Sequence, residues 1–543
     1  MTGKLTISPF AMVTVDPAAD GHIDWAQNPF HHPTWQQNFQ SGGWIEMLIS
    51  GYLAGGPGAR AYLTRAEAIT RSWLAGVPVS ARDPQTVICL SEGLSGQAWI
   101  SDQIDAGVNY LATHWQGPWN HGLVQDLKLM RIGCAYPPDA FGGDALKWRK
   151  TAYDQIMSSF RPNRLGPSID TQGVVNEQAT GYERYVYDLW RGGESELADC
   201  GYPSSKRGYP LPSGIAARIA KMPAFLAEAT QPDGNLVQIG DTYAEPPPTL
   251  RKQRLPLVAV YRAGYVFGRS TWGPSGTFYS LRFGPGRQVH GHNDHMGLTY
   301  YSRGRNLIVN AGHTGYEVSP YRDYLRSPEA ASTFISPGAS FRGVAATALT
   351  ASEIGPVSQF YELSDDAFGG PRSMSLYAHQ RPDFMLVLDR GSGQENYQQL
   401  WHLDPALTVT SVTAAAAMAA APAVPATATS PAIPATTLRI ARIALPGQAI
   451  PAGSTTVVQG QTNPYQGWVS RRALERIPAP VVVMSSQGTG LDLSTAILTL
   501  IAATAPGTLV SATATVAPGG TPADGPYLVL ASVGTVTVPV TIR

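Results

Sequence analysis

The chain has 543 residues, 43% of them hydrophobic and 14% charged, with a formal net charge of zero. That length exceeds one ordinary core and predicts several domains, while the neutral balance gives no global attraction for nucleic acid. No apolar run reaches the length of a membrane span, and the three cysteines, Cys89, Cys134 and Cys200, make no CxxC pair and predict no disulfide framework.

From Met1 to Pro17 no basic segment precedes a long apolar run, so no signal peptide is visible. Residues 1–60 are rich in Pro, Trp, His and Gly, with weak periodicity. Between residues 60 and 245 apolar side chains recur at helical spacing: Leu123, Leu127 and Met130; Tyr153, Ile156 and Phe160; Tyr182, Tyr185, Val186, Leu189 and Trp190; Ile215, Ile219 and Met222. Gly/Pro-rich breaks at 135–143, 161–166 and 191–212 separate them. The pattern predicts a helical domain over 1–248, built as a bundle or a ring of helix pairs.

Near Pro246-Pro247-Pro248 the period changes. Short alternating segments follow at 257–265, 276–283, 298–302, 307–310, 374–378 and 384–389, and predict antiparallel sheets packed face to face over 249–412. The Ala/Pro/Thr tract at 413–436 reads as a linker or loose excursion. The Val/Thr-rich remainder, 437–543, reads as a further β region. The fold class expected is multidomain α+β, with a helical N-terminal domain followed by antiparallel β-sandwich structure.

The densest chemistry lies in His290-Gly291-His292-Asn293-Asp294-His295, in a chain with only 11 histidines. A strand leads in, and a hairpin turning at Arg303-Gly304-Arg305 leads out. Imidazoles on a loop held by strands can move protons or hold a metal. Arg282, Arg287, Arg303, Arg305, Arg322 and Arg326 crowd the same region against Asp294, Glu317 and Asp323, and suggest a local basic patch for an anionic ligand. Three further clusters stand out. Trp119-Asn120-His121-Gly122 precedes a helix, where Asn120 could serve merely as a cap. Asn176 to Tyr185 opens an aromatic helix, where Tyr182 could be plain core. The turn from Gln231 to Thr242 reads as architectural rather than chemical.

Together these clusters resemble the heparinase II/III-like polysaccharide lyases over roughly residues 110–410. The resemblance rests on Asn120-His121, Glu177 to Tyr182, Pro232-Asp233-Gly234 with Gly240-Asp241, His290 to Asp294, Asn310-Ala311-Gly312 and Trp401-His402-Leu403-Asp404-Pro405. It implies an (α/α) toroid followed by a β-sandwich, with the active site in the cleft between them. It further implies β-elimination on a uronate-containing polysaccharide, an anionic polysaccharide as partner rather than nucleic acid or membrane, and a secreted or periplasmic location. Tyr182 would donate to the glycosidic oxygen and could also take the C5 proton, and His290 would be the second proton carrier. Asn120 and His121 would hold the uronate carboxylate, while Glu177, Gln178, Arg287 and His292 would bind substrate.

Family members that hold zinc use the histidine two after the catalytic one, a following aspartate and a later histidine. Here His292 matches, but Asn310 and Ala331 stand at the other two positions, and a neutral amide and a methyl group are not zinc ligands. No metal or other cofactor is therefore expected, with His313 or Asp294 as the residues that would have to compensate. A rival reading takes His290, His292, Asp294 and His295 as the HxHxDH signature of a metallohydrolase. A non-catalytic carbohydrate-binding protein is the third class.

Overall fold

The computed structural model describes residues 3–16, 20–83, 86, 98–200, 208–250, 254–428 and 430–543. Cys89 lies outside them. The chain divides into two compact units: residues 1–168, 186–219 and 316–318, and residues 169–185, 220–315 and 319–543. The division does not follow the helix-to-strand switch near 248. The segment that opens the aromatic helix and the turn near 240 both belong to the second unit.

The first unit is helical. Its weakly periodic start still forms helices, Pro33–Ser41 and Glu46–Leu53, because local chemistry substitutes for a long stripe. His32 caps the first by accepting from the Thr34 N–H at 3.2 Å, and Pro33 occupies the first turn, where no donor is needed. Trp25, Trp35, Phe39 and Trp44 stack into one aromatic cluster behind it. The longer helices are Ala59–Gly76, Ala98–Thr113, Asn120–Ala135, Ala140–Ser159 and Thr180–Asp199. The expected break near 143 is present as non-helical backbone at Phe141, Gly142 and Gly143. The one expected from 191 does not begin there, since the helix runs on through Gly192 and Gly193 to Asp199. At Gly193 an added Cβ would lie 2.9 Å from Leu127 Cδ2, so this glycine permits close helix packing rather than a turn. Among the described residues no helix is long and apolar enough to cross a membrane.

The cysteine expectation is overturned. Cys134 and Cys200 form a disulfide, with Cα atoms 5.3 Å apart and a sequence separation of 66. They stand at the ends of two helices, so helix packing and not local spacing brings them together. A loop of that length gives roughly 4 kcal/mol on the chain-entropy account. Cys134→Ser should therefore lower unfolding stability by roughly 2–4 kcal/mol, read as an earlier urea midpoint. An identical midpoint with and without reductant would show that the bond does not act in solution.

The second unit is predominantly β. A five-stranded antiparallel sheet runs in sequence order: Val258–Tyr261, Tyr265–Arg269, Phe278–Arg282, Leu298–Ser302 and Arg305–Ile308. Its last turn carries positive φ at Arg303 and Gly304, which suits the twist of a tight hairpin. A second sheet of eight strands runs Thr408–Val412, Ala416–Ala421, Thr436–Ile443, Thr495–Thr504, Asp383–Gly391, Arg372–Gln380, Ser358–Asp365 and Ala348–Ile354. Side chains of both sheets share one core, including Tyr300, Leu307, Leu376, Val387 and Ile440.

This topology corrects two expectations. The Ala-rich tract is not a linker: Ala416–Ala421 pairs on both edges, and Ala417, Ala419 and Ala421 lie in the core. Alanine has weak strand preference, but its small side chain lets the facing sheet approach, and the ladder on both sides holds it. Nor are residues 437–543 a separate region, because two of their strands complete the eight-stranded sheet.

Candidate active site

The site is built within the second unit from four segments. The first is Glu177 to Tyr182, at the start of the helix Thr180–Asp199. The turn at 237–242 pins that start: Thr180 N donates to Ile239 O at 3.2 Å, Thr180 Oγ1 donates to Val237 O at 2.6 Å, and Gly181 N donates to Thr242 Oγ1 at 2.9 Å. The second segment is therefore that turn, the third is the histidine loop, and the fourth is the stretch after Arg305–Ile308 that carries His313. Asp241 N donates to His290 O at 2.9 Å, and His290 N donates to Glu177 O at 3.2 Å.

Gln178 holds the loop. Its Nε2 donates to Pro285 O and Gly286 O, both at 3.1 Å, while its Oε1 accepts from Gln288 N at 2.7 Å. It is buried and faces loop backbone, which makes it a positioning residue. Two glycines allow the segments to meet. At Gly240 (φ +63) an added Cβ would sit 2.6 Å from Gln178 O and 2.7 Å from His290 O, and at Gly291 it would sit 2.3 Å from Gln178 Oε1.

The side chains that converge are His290, His292, His313, Tyr182, Glu177 and Asp241. Asp241 is the hub. Its Oδ2 lies 2.9 Å from His290 Nδ1, and its Oδ1 lies 3.0 Å from both His292 Nε2 and His313 Nδ1. Burial opposes ionisation of this carboxyl, but the hydrogen bonds from His290, His292 and His313 outweigh it and hold the pKa well below 3.8. His290 Nε2 lies 3.5 Å from Glu177 Oε2. The Tyr182 ring stacks on the His290 ring at 3.4 Å between centroids, only 7° from parallel. Chemically the arrangement is an imidazole oriented by a buried carboxylate beside a half-buried phenol, two groups that can each carry a proton.

The expected site residues divide between the units. Tyr182, His290, Glu177, Gln178 and His292 gather here, with His292 turned inward to Asp241. Arg287 lies exposed on the same loop. Asn120 and His121 begin the helix Asn120–Ala135 in the first unit, Asn120 buried and His121 exposed. The N-cap of that helix is Trp119, with no side-chain capping bond, so Asn120 is not its cap.

The expected basic patch is not one surface. Arg282 is fully buried, donates to Gly264 O and pairs with Asp294. Arg303 and Arg305 donate to backbone carbonyls at Pro422, Pro434 and Ala435, and Arg322 donates to Gly315 O.

The HxHxDH set is not assembled either. Asp294 Oδ1 faces Arg282 Nε at 3.4 Å, and His295 Nδ1 faces Thr347 Oγ1 at 2.9 Å, while His290 and His292 face Asp241. These neighbours lie in turns rather than strands, with Gly291 N donating to Gln288 O at 2.6 Å and Gly297 N to Asp294 O at 2.9 Å, and they face different ways. Sequence reading missed Asp241 as chemistry. Its signal was Gly240-Asp241, a buried-turn motif already part of the resemblance but assigned to architecture.

His295 carries a pH prediction. Burial, and then the nearby Arg282, lower its pKa from 6.5 to about 4. The fold thus favours the neutral ring, so its contribution is complete above about 6.5 and is lost as pH falls towards 4. Melting temperatures should fall across that window, and less steeply in His295→Gln. Parallel curves for the two proteins would show that His295 does not couple to folding. Asp241 would act only at lower pH, below 3.8.

Comparison with known proteins agrees with this architecture. Residues 262–432 match the family model described as heparinase II/III-like, C-terminal. A solved structure of heparinase III superposes with a TM-score of 0.76 at 15% identity, covering 98% of this chain and 86% of that one. Heparan sulfate lyase HepC from Pedobacter heparinus gives 0.67 at 14% identity, covering 100% and 87%. A chondroitin AC lyase from Streptomyces coelicolor A3 gives 0.51 at 11% identity, covering 98% and 85%. No curated protein matches in a sequence comparison. The resemblance read in the sequence therefore holds: residues 262–432 match the C-terminal domain model of the heparinase II/III-like family, and the chain shares the fold of heparinase III.

Proposed function

We propose that this protein is a polysaccharide lyase that cleaves a uronate-containing polysaccharide by β-elimination. The observation that supports it most is the Tyr182–His290 stack, with Asp241 on the far nitrogen of the imidazole. The C5 proton of a uronate is weakly acidic and sits beside a charged carboxylate. Removing it needs a base at C5, an acid at the leaving oxygen and neutralisation of the carboxylate. Asp241 at Nδ1 fixes the His290 tautomer and leaves Nε2 for proton work. Tyr182 offers a phenolic O–H that can donate to the glycosidic oxygen. The relatives are named as lyases of heparan sulfate and chondroitin, which supports an anionic polysaccharide as substrate. The Cys134–Cys200 disulfide is consistent with an oxidising, extracytoplasmic location.

The direct test is a panel of uronate polymers followed by absorbance of the new carbon–carbon double bond. Turnover without that chromophore, or binding without turnover, would replace the proposal with a hydrolase or a binding protein. Asn120 carries the carboxylate-neutralising role in this reading. Asn120→Ala should lose about 2.7–4 kcal/mol of transition-state stabilisation, the loss typical of an oxyanion donor. Kinetics that stay normal while the melting temperature drops would reduce Asn120 to a packing residue.

A further inference from the structure

The positions at which zinc-holding relatives supply an aspartate and a second histidine carry Asn310 and Ala331, and neither can replace them. Asn310 Nδ2 donates to Gln238 O at 3.1 Å, and Ala331 is buried with no donor atom. Yet His292 is not left alone. Asp241 from the turn near 240 and His313 from the segment after residue 310 bring their ligand atoms together with His292 Nε2, all within 4.8 Å of one another.

We propose that Asp241, His292 and His313 form a binding site for a divalent transition-metal ion, zinc first, with a ligand set displaced from the usual one. Two imidazole nitrogens, His292 Nε2 and His313 Nδ1, converge on the same carboxylate oxygen at 3.0 Å each. Metal–ligand bonds of about 2.0–2.1 Å in a tetrahedron place neighbouring donors about 3.3 Å apart, so small movements accommodate an ion. Two imidazoles and one carboxylate are a donor set suited to zinc with one position open to water, and less suited to magnesium or calcium. All three side chains are nearly excluded from solvent, at 4%, 6% and 3% exposure for Asp241, His292 and His313.

The three supports are also fixed before any ion arrives. Asp241 N is bound to His290 O, the His292 loop is held by Gln178, and His313 is clamped through its backbone. There His313 N donates to Ser470 O at 3.2 Å, and Ser470 Oγ donates to His313 O at 2.8 Å. Behind the cluster the second carboxylate oxygen stays on His290 Nδ1 at 2.9 Å. An ion on Oδ1 would lock the Asp241 carboxylate and, through Oδ2, the orientation of the His290 ring. His290 itself lies outside the ligand set.

The proposal does not depend on the lyase reading, and its readouts do not use turnover. Tag-free protein grown with zinc and dialysed without chelator should contain about one zinc ion per chain by elemental analysis. The metal-stripped protein should take up cobalt(II) with a visible absorption band of low-symmetry coordination, and added zinc should raise its melting temperature. His313→Ala and His292→Ala should each lose the bound metal and the cobalt band. Stripped wild-type protein that binds neither ion and does not change its melting temperature would show the cluster to be a hydrogen-bonded network only. Undiminished metal in both variants would place the ion elsewhere and equally overturn the assignment. The titration of wild-type protein decides even where a variant fails to fold.

Discussion

His290→Ala should be nearly inactive, with turnover reduced by about 10²–10⁴-fold, the range typical when a general acid or base is lost. In the structure this ring occupies the centre of the site: Asp241 at Nδ1, Glu177 beyond Nε2 and the Tyr182 face against it. Alanine removes the proton carrier and also one of the three imidazoles around Asp241. Some loss of stability should accompany the loss of rate. His290→Gln, which can restore a donor towards Asp241, separates the two effects: it should recover melting temperature but not turnover. If His290→Gln turned over at near the wild-type rate, hydrogen bonding to Asp241 would be the whole role of His290, and the proton-transfer role would be wrong.

Tyr182→Phe should lower turnover by roughly a hundredfold or more while leaving the fold intact. This substitution is unusually clean here. The ring of Tyr182 lies flat on that of His290, 3.4 Å between centroids, and phenylalanine keeps that stacking while deleting only the hydroxyl. The melting temperature should therefore change little. A substrate with a better leaving group should recover part of the lost rate, because the hydroxyl is assigned to the leaving oxygen. Near-normal activity with unmodified polymer would mean that Tyr182 serves the site only as a stacking surface.

Much of the local structure was determined by the sequence itself. Helical spacing at Leu123, Leu127 and Met130 lies inside the helix Asn120–Ala135, and alternation at 374–378 and 384–389 lies inside two neighbouring strands. Periodicity is legible because each residue's exposure is set by neighbours one turn or one strand step away. The strand, histidine loop and hairpin were readable for the same reason. So was the association of Tyr182 with His290, although only through resemblance, since more than a hundred residues separate them.

What only the tertiary structure decided are the partnerships that no local period encodes. Asp241 is 49 residues from His290 and 51 from His292, and its turn looks like an ordinary connection until the fold buries it among three imidazoles. Within the loop, His290 and His292 face Asp241 while Asp294 and His295 face Arg282 and Thr347, a division set by the loop's turns and its distant partners rather than by composition. Ala416–Ala421 becomes a strand because two neighbours pair with it, and Cys134 finds Cys200 because two helices end together. In each case the deciding energy comes from burial and hydrogen bonding between distant segments. A chain of 543 residues states the candidates for such contacts, and packing selects among them.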